Sequence, residues 1–392
     1  MRIGVLTHSG SDDNYGQILQ CYALQSYLKL QGHSSFLIKY SSDAEVAGER
    51  FHLLKQFIRS AISLVSPARK QMYTELEHYK KLHHINMINN QKRAFQAFLV
   101  DNVELTQRYF TYEELKVNAP KAKAYIVGSD QVWNLEMANP VTPVWYLQFG
   151  NEETLRISYA ASIGRKIQES EYELFTQYLK GLNAISVREQ NAYELCQKLG
   201  FKDSELVVDP TVLAPFSVYE KFIDKDSKPQ KPYVFLYYLN VLTSEELEWG
   251  QISIFLQQNR LELKSVSSSG YYPAQDLIPG HKNEYLTIPE WLSAIYHSEY
   301  VISTSFHGVI FAILMHKPFV AIPLRNQYSG GNVRLASLLE SIGLSDRIFS
   351  AERPIGRILT APIDWNKVET LLTANRTKSG EFLKTALKCN IV

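Results

Sequence analysis

At 392 residues the chain exceeds one core of ordinary size, so two domains are expected, and its 45% hydrophobic and 21% charged residues exclude a disordered chain. A formal net charge of +1 leaves no global field for nucleic acid or an anionic surface. Three cysteines, Cys21, Cys196 and Cys389, lie far apart with no CxxC pair and no zinc-like histidine spacing, which excludes a disulfide or zinc framework and fits a reduced cytoplasmic setting.

The N-terminus turns polar after "MRIGVL", too early for the apolar region of a signal peptide, and no apolar run reaches the roughly 18 residues of a membrane span. Ile3 to Thr7 predicts a compact strand. An Asn-Tyr-Gly loop follows and opens a helix whose Leu19, Tyr22, Ala23, Tyr27 and Leu30 recur at spacings of three and four. Gly32 ends that helix before "FLIKY", which completes a βαβ unit.

From Arg50 to Arg93 the pattern changes: nine Lys or Arg face only Glu75 and Glu77, a local excess of +7. Phe51, Leu54, Ile58, Ile62 and Val65 share one helical face, so a basic helical insertion is expected at about 45–110. It reads either as a solvated helix packed on the first domain or as a basic amphipathic surface for an anionic membrane.

Beyond it, "AYIVGSD", "RISYAAS" and "AISVRE" are short apolar runs with polar turns, as parallel strands covered on both faces should be. After "LVVDPTVL" a charged, proline-containing stretch leads to a fresh strand at Tyr233 to Leu239. The domain boundary is placed between Asp209 and Lys231, giving units 1–215 and 216–392. The second half repeats the alternation: a helix near Ser244 to Asn259, "LELKSVS", "IPEWLSAIYHSE", "YVISTS", a helix from Gly308, "PFVAIP" and "VRLASLLESIGL". The fold class is therefore α/β, two doubly wound Rossmann-like domains facing across a cleft.

In open parallel sheets ligands collect beyond the carboxyl ends of the strands, where backbone amides and helix N-termini are unsatisfied. That rule selects five loops. In the first, Gly16 allows a tight turn while Asn14, Tyr15 and Gln17 offer donors and acceptors for sugar hydroxyls, though Asn14 is equally a plain N-cap. In "VGSDQVWN", Asp130 can bind or deprotonate a hydroxyl, Gln131 stands beside it and Trp133 can stack on a sugar face. The competing role is again a cap. "SVRE" ends a strand with Arg188, a planar cation suited to carboxylate or phosphate, or to an internal ion pair.

The sharpest signal is "STSFHGVIFAIL", where polar residues end a strand and His307 and Gly308 open an apolar helix. Helix amides bind anions, and a histidine beside them can donate a proton. "RNQYSGGNVRLASLL" adds a Gly-Gly turn before Arg334, with Lys317 and Arg325 flanking the preceding strand.

Taken in order, "NYGQILQCYALQ", "YIVGSDQVWN", "SYAASIG", "SVREQNAYELCQKLG", "VVDPTVL", "VISTSFHGVIFAILMHKPFVAI" and "RLASLLESIGL" resemble the polysaccharide pyruvyl transferases over about residues 1 to 345. The resemblance implies a GT-B-like enzyme that transfers the enolpyruvyl group of phosphoenolpyruvate to a sugar, usually as a cyclic ketal. It implies His307 as general acid and Arg188 as a phosphoenolpyruvate ligand. Members often carry Arg-Leu-His-Gly where this chain has Ser305-Phe306-His307-Gly308, so either Arg334, Arg325 or Lys317 compensates for the missing arginine or the donor geometry differs.

The resulting expectation has catalytic residues His307 and Asp130, a donor site of Arg188, Ser305, Gly308, Lys317, Arg325 and Arg334, and an acceptor site of Asn14, Tyr15, Gly16, Gln131 and Trp133. No cofactor and no metal are expected, and phosphoenolpyruvate acts as donor substrate. The acceptor is a surface-polysaccharide sugar or its lipid-linked precursor, met in the cytoplasm or at the inner membrane face. The alternatives are a nucleotide-sugar-dependent GT-B glycosyltransferase or epimerase, for which the second half offers no clear ribose-binding Glu, and a non-catalytic binding module.

Overall fold

Short runs such as "IGVL" and "YVFLYYL" are apolar at consecutive positions, so they are stable only as strands covered on both faces. The computed structural model, which describes residues 1–40, 84–85, 87–134, 143–165, 167–227, 229–268 and 277–388, arranges them in two parallel sheets. The first half contains β1 (Arg2–Leu6), α1 (Tyr15–Leu30), β2 (Ser34–Tyr40), α2 (Phe95–Asn102), β3 (Leu105–Tyr109), α3 (Tyr112–Val117), β4 (Ala124–Val127), β5 (Leu155–Ser158), α4 (Tyr172–Leu179), β6 (Ser186–Val187), α5 (Gln190–Lys198), β7 (Glu205–Leu206), α6 (Pro210–Leu213) and α7 (Ser217–Glu220). The second contains β8 (Tyr233–Leu239), α8 (Trp249–Asn259), β9 (Glu262–Ser268), α9 (Ile288–His297), β10 (Tyr300–Ser303), α10 (Phe306–Leu314), β11 (Phe319–Ala321), α11 (Asn332–Ser341), α12 (Ile355–Thr360) and α13 (Trp365–Ala386).

The first sheet has the order β3-β2-β1-β4-β5, and the bridges Ile157–Ala184 and Ala161–Val187 carry it on to the β6-β7 pair. The second has the order β11-β10-β8-β9. Strand order therefore reverses between β1 and β4 in one sheet and between β8 and β10 in the other. A crevice forms at each reversal, beyond the carboxyl ends of the strands. The β1–α1 junction carries Asn14–Gln17, the loop after β4 carries Ser129–Asp130, and the β10–α10 junction carries Ser305–His307.

Two departures from the sequence-based expectation concern boundaries. Residues 95–109, expected within a basic helical insertion, form α2 and the edge strand β3, whose half-exposed LTQRY lacks a buried strand's signature. The amphipathic stripe from Phe51 to Val65 lies outside the described residues. At the other end, α13 crosses back to the first domain: Ser379 Oγ accepts from Val208 N at 2.9 Å, and Arg376 Nε donates to Val212 O at 2.8 Å. One apolar cluster accordingly runs from Ile3 and Leu19 through Tyr15 and Trp291 to Val301 and Phe311, so the two units share buried surface.

Candidate functional site

Helix α10 is buried at every position from Phe306 to Leu314, which fixes its N-terminus against the first domain. Ser305 caps it, its hydroxyl accepting from Gly308 N at 3.3 Å. Gly308 allows close approach, since a Cβ there would lie 2.3 Å from Ser303 Oγ. The cap aims His307 across the crevice at α1. Gly16 is required at that point, because a Cβ on it would sit 2.0 Å from His307 Nδ1.

The other imidazole nitrogen reaches a residue that the sequence reading had used only as a boundary. Asp209 Oδ2 lies 3.6 Å from His307 Nε2, 2.6 Å from Arg188 Nη1 and 2.6 Å from Ser129 Oγ. Its second oxygen caps α6, accepting from Thr211 N at 2.9 Å and from Thr211 Oγ1 at 2.6 Å. Burial alone would raise this carboxyl's pKa, but the charges of His307 and Arg188 and the Ser129 hydrogen bond outweigh it and hold the group far below the usual carboxylate range. The signal was present in "DPTVL", Asp before a Pro at the first helical position, and it reads only as a cap until the fold brings Arg188 and His307 to it.

Arg188 is the hub of the first domain's wall. Its Nη1 also donates to Ser129 Oγ at 2.7 Å, Nη2 lies 3.7 Å from Asp130 Oδ1, and Nε lies 3.9 Å from Glu189 Oε2. Glu189 is itself occupied, its Oε1 accepting from Ser162 Oγ at 3.0 Å, Ile163 N at 2.7 Å and Gly164 N at 3.1 Å. Asp130 holds a left-handed backbone at φ 85, a strained conformation for a residue with a side chain. Burial raises its pKa, and His8, Arg188, Arg334 and His307 more than reverse this, so it is a carboxylate at neutral pH. Gln17 Nε2 donates to its Oδ2 at 3.4 Å.

Arg334, in the first turn of α11, joins the cluster from the second domain. Arg188 and Arg334 place their guanidinium carbons 5.0 and 5.8 Å from the Phe306 ring centre. Burial and the like charge of Arg188 lower the Arg334 pKa to about 10, which still leaves it a cation. Among the described residues, the buried Nε and Nη2 of Arg188, Nε of Arg334 and Nε2 of His307 make no hydrogen bond. Both oxygens of Asp130 and of Asp209 accept hydrogen bonds, Glu189 Oε2 accepts none, and the cations keep N–H groups to spare.

Of the expected site residues, His307, Asp130, Arg188, Arg334, Gly16, Ser305 and Gly308 therefore converge. Asn14 is the N-cap of α1, accepting from Gln17 N at 3.2 Å, and Gln131 follows Asp130 and accepts from Asn134 Nδ2 at 2.8 Å. Four expectations are corrected. Tyr15 is fully buried, its hydroxyl donating to Leu286 O at 2.6 Å and its ring stacked on Trp291 at 4.9 Å, so it joins the domains instead of facing a ligand. Trp133 is likewise buried, stacked on Tyr146 with Nε1 donating to Trp145 O at 3.0 Å. Lys317 precedes β11, at the amino end of the sheet and past the far end of α10 from His307, with its ammonium over the Tyr296 ring. Arg325 is ion-paired with Glu248 on the outer surface.

The family described as polysaccharide pyruvyl transferase matches residues 14–326. No curated protein matches the chain. Among solved structures it is similar to a UDP-N-acetylglucosamine 2-epimerase from Rickettsia bellii, at 9% identity and a TM-score of 0.54 over 99% of this chain and 97% of that one. MnaA of S. aureus, solved with UDP, gives 10% identity and a TM-score of 0.50 over 97% of each. At such identities the likeness concerns the fold alone, which is GT-B-like: two Rossmann-like domains across a cleft. With a match of that extent and an ion cluster assembled at the facing switch points of both domains, the chain belongs to the polysaccharide pyruvyl transferase family of enzymes.

Proposed function

We propose that the protein transfers the pyruvyl unit of phosphoenolpyruvate to a sugar of a bacterial surface polysaccharide, or of its lipid-linked precursor, and forms a ketal. The observation that carries this reading is the pair of guanidinium groups beside His307 with buried N–H donors left over. A small carboxylate-phosphate ester supplies the missing acceptors on both sides of one reacting carbon.

In this mechanism Arg188 and Arg334 hold the carboxylate and phosphate, and the amides at the start of α10 add donors. Protonated His307 delivers its Nε2 proton to the methylene carbon, leaving a cation at the adjacent carbon. A sugar hydroxyl adds there and loses its proton to Asp130. The bond to the phosphate oxygen breaks, phosphate departs, and a second hydroxyl closes the ketal as its proton passes to the imidazole of His307, neutral since the first step. Asp209, a fixed anion 3.6 Å from Nε2, stabilises the imidazolium that must form before each turnover.

No helix among the described residues is long and apolar enough to cross a membrane. We place the reaction on the cytoplasmic side and assign the basic stretch from Arg50 to Lys92, a net +6 with the buried Arg93 left out, to an anionic leaflet; liposome flotation without preference for anionic lipid would remove that part. The chemical test uses His307→Ala, which is expected to lose at least about a hundredfold in phosphate release with phosphoenolpyruvate and a glycolipid acceptor panel while still folding, with a lowered melting temperature because Asp209 loses a counter-charge. Near-normal turnover in that variant would overturn the acid assignment.

A further inference from the structure

The crevice works only if the two domains meet at one angle, because Arg188 and Asp130 stand on one wall and His307 and Arg334 on the other. Outside the cluster, one buried cation spans the same boundary. Arg93, 1% exposed, donates through Nη1 to Asp13 O at 3.3 Å in the first domain and through Nη2 to Ser267 O at 2.6 Å in the second. Its guanidinium carbon lies 5.2 Å from the Tyr15 ring centre and 5.1 Å from that of Tyr285, so a ring of each domain lies against the same cation. Tyr15 continues the tether through its bond to Leu286 O at 2.6 Å and its stack on Trp291.

We infer that Arg93 is a positioning residue, an interdomain clamp that sets the cleft angle for catalysis. The mechanical link is short. Asp13 and Tyr15 flank Asn14 in the loop leading to Gly16, whose backbone is the surface against which the His307 imidazole rests. Fixing that loop to Ser267 and Leu286 thus fixes the first domain to the second, one residue away from the proton donor. Both Arg93 bonds run to carbonyl oxygens, which only a forked donor can span together; lysine has the charge without the fork.

Part of the test rests on the phosphoenolpyruvate reading and part does not, so the two can fail separately. Spin labels at Val117→Cys and Ile254→Cys, exposed positions on opposite domains, report the interdomain distance by electron–electron resonance with Cys389→Ser as background. Calorimetry reports phosphoenolpyruvate affinity. Arg93→Met and Arg93→Lys are expected to broaden the distance distribution and weaken phosphoenolpyruvate binding at least tenfold. Tyr15→Phe, which removes only the hydroxyl, is expected to do both to a smaller degree. Val301→Ala, a destabilising change in the second sheet's core, is expected to lower the melting temperature and leave both readouts unchanged. If Arg93→Met does not fold, Arg93→Lys and Tyr15→Phe decide. A distance distribution identical to wild type in the folding variants overturns the clamp, whatever the ligand. Absence of phosphoenolpyruvate binding in the unmodified protein overturns the donor assignment and leaves the distance arm standing.

Discussion

The two walls of the crevice are built on the same strand–loop–helix grammar and carry charge in opposite ways. On the first domain, Arg188, Glu189 and Asp209 have side chains only 1% exposed and are held together by ion pairs centred on Arg188. On the second, His307 and Arg334 stand at helix starts, and His307 Nε2 and Arg334 Nε are buried without a hydrogen bond among the described residues. The first wall is a frame of carboxylates paired around Arg188, with Nε and Nη2 of Arg188 and Oε2 of Glu189 left without hydrogen bonds among the described residues; the second brings His307 and Arg334 as cations, each with a buried nitrogen to spare. The ion pair between Asp209 and His307 is where frame and donor meet.

That contrast ranks the effects of mutation. Arg188→Ala should be the most damaging, since it removes a cation that the proposed function assigns to the donor and also strands the Asp209 carboxylate without its closest counter-charge. Breaking one partner of such a buried pair costs about 3–5 kcal/mol. Chemical denaturation should register that loss, and phosphoenolpyruvate binding should vanish; a variant of unchanged stability would mean that the frame is not held by this pair.

Asp209→Asn comes next and adds a pH signature. The folded carboxyl titrates below its ordinary 3.8, so the stability it contributes is fully present above that value and declines as pH falls toward the folded pKa. The asparagine variant should therefore be less stable than wild type at neutral pH and show a shallower loss of stability below about pH 4. Turnover should fall about ten- to a hundredfold, as expected when an electrostatic partner of the acid is neutralised. Parallel acid-unfolding curves would show that Asp209 is not a shifted carboxylate.

How much of this was readable from the chain differs between the same two walls. The second wall is local: Ser305, His307, Gly308 and Arg334 lie within a few residues of strand ends or helix starts, and one rule about open sheets selects them. The first wall is assembled from four loops between Asp130 and Asp209, and its key carboxylate looks like an ordinary N-cap until a residue 98 positions later in the chain arrives beside it. The sequence errors have the same origin. Tyr15 and Trp133 sit in the correct loops, but composition does not say whether an aromatic ring faces a cleft or a core. Lys317 was misjudged because flanking a strand does not say which end of it. Edge strand β3 escaped because a half-exposed strand lacks the uninterrupted apolar run that marked its neighbours.

A smaller perturbation tests the contact between the walls directly. Gly16→Ala inserts a methyl where the His307 ring already lies, so the imidazole must turn or the domains must part. Displacement of a catalytic group by about 1 Å is worth about a hundredfold in rate, and phosphoenolpyruvate affinity should fall much less than turnover. Loss of binding with turnover preserved would place the reacting atom elsewhere.

The smallest effects separate the true second wall from its surroundings. Arg325→Ala and Lys317→Ala each remove a cation that sequence alone ranked beside Arg334, yet Arg325 is partnered by Glu248 and Lys317 lies over Tyr296 beyond the far end of α10. Screened charges outside the crevice contribute little to an anion bound within it, about a factor of two or less at physiological salt. Arg334→Ala, which deletes one of the two guanidinium groups flanking Phe306, should by contrast reduce phosphoenolpyruvate affinity more than tenfold in the same calorimetric series. Equal losses for the three would mean that net charge attracts the donor; the expected inequality means that the buried, unbonded N–H groups of the cluster do so.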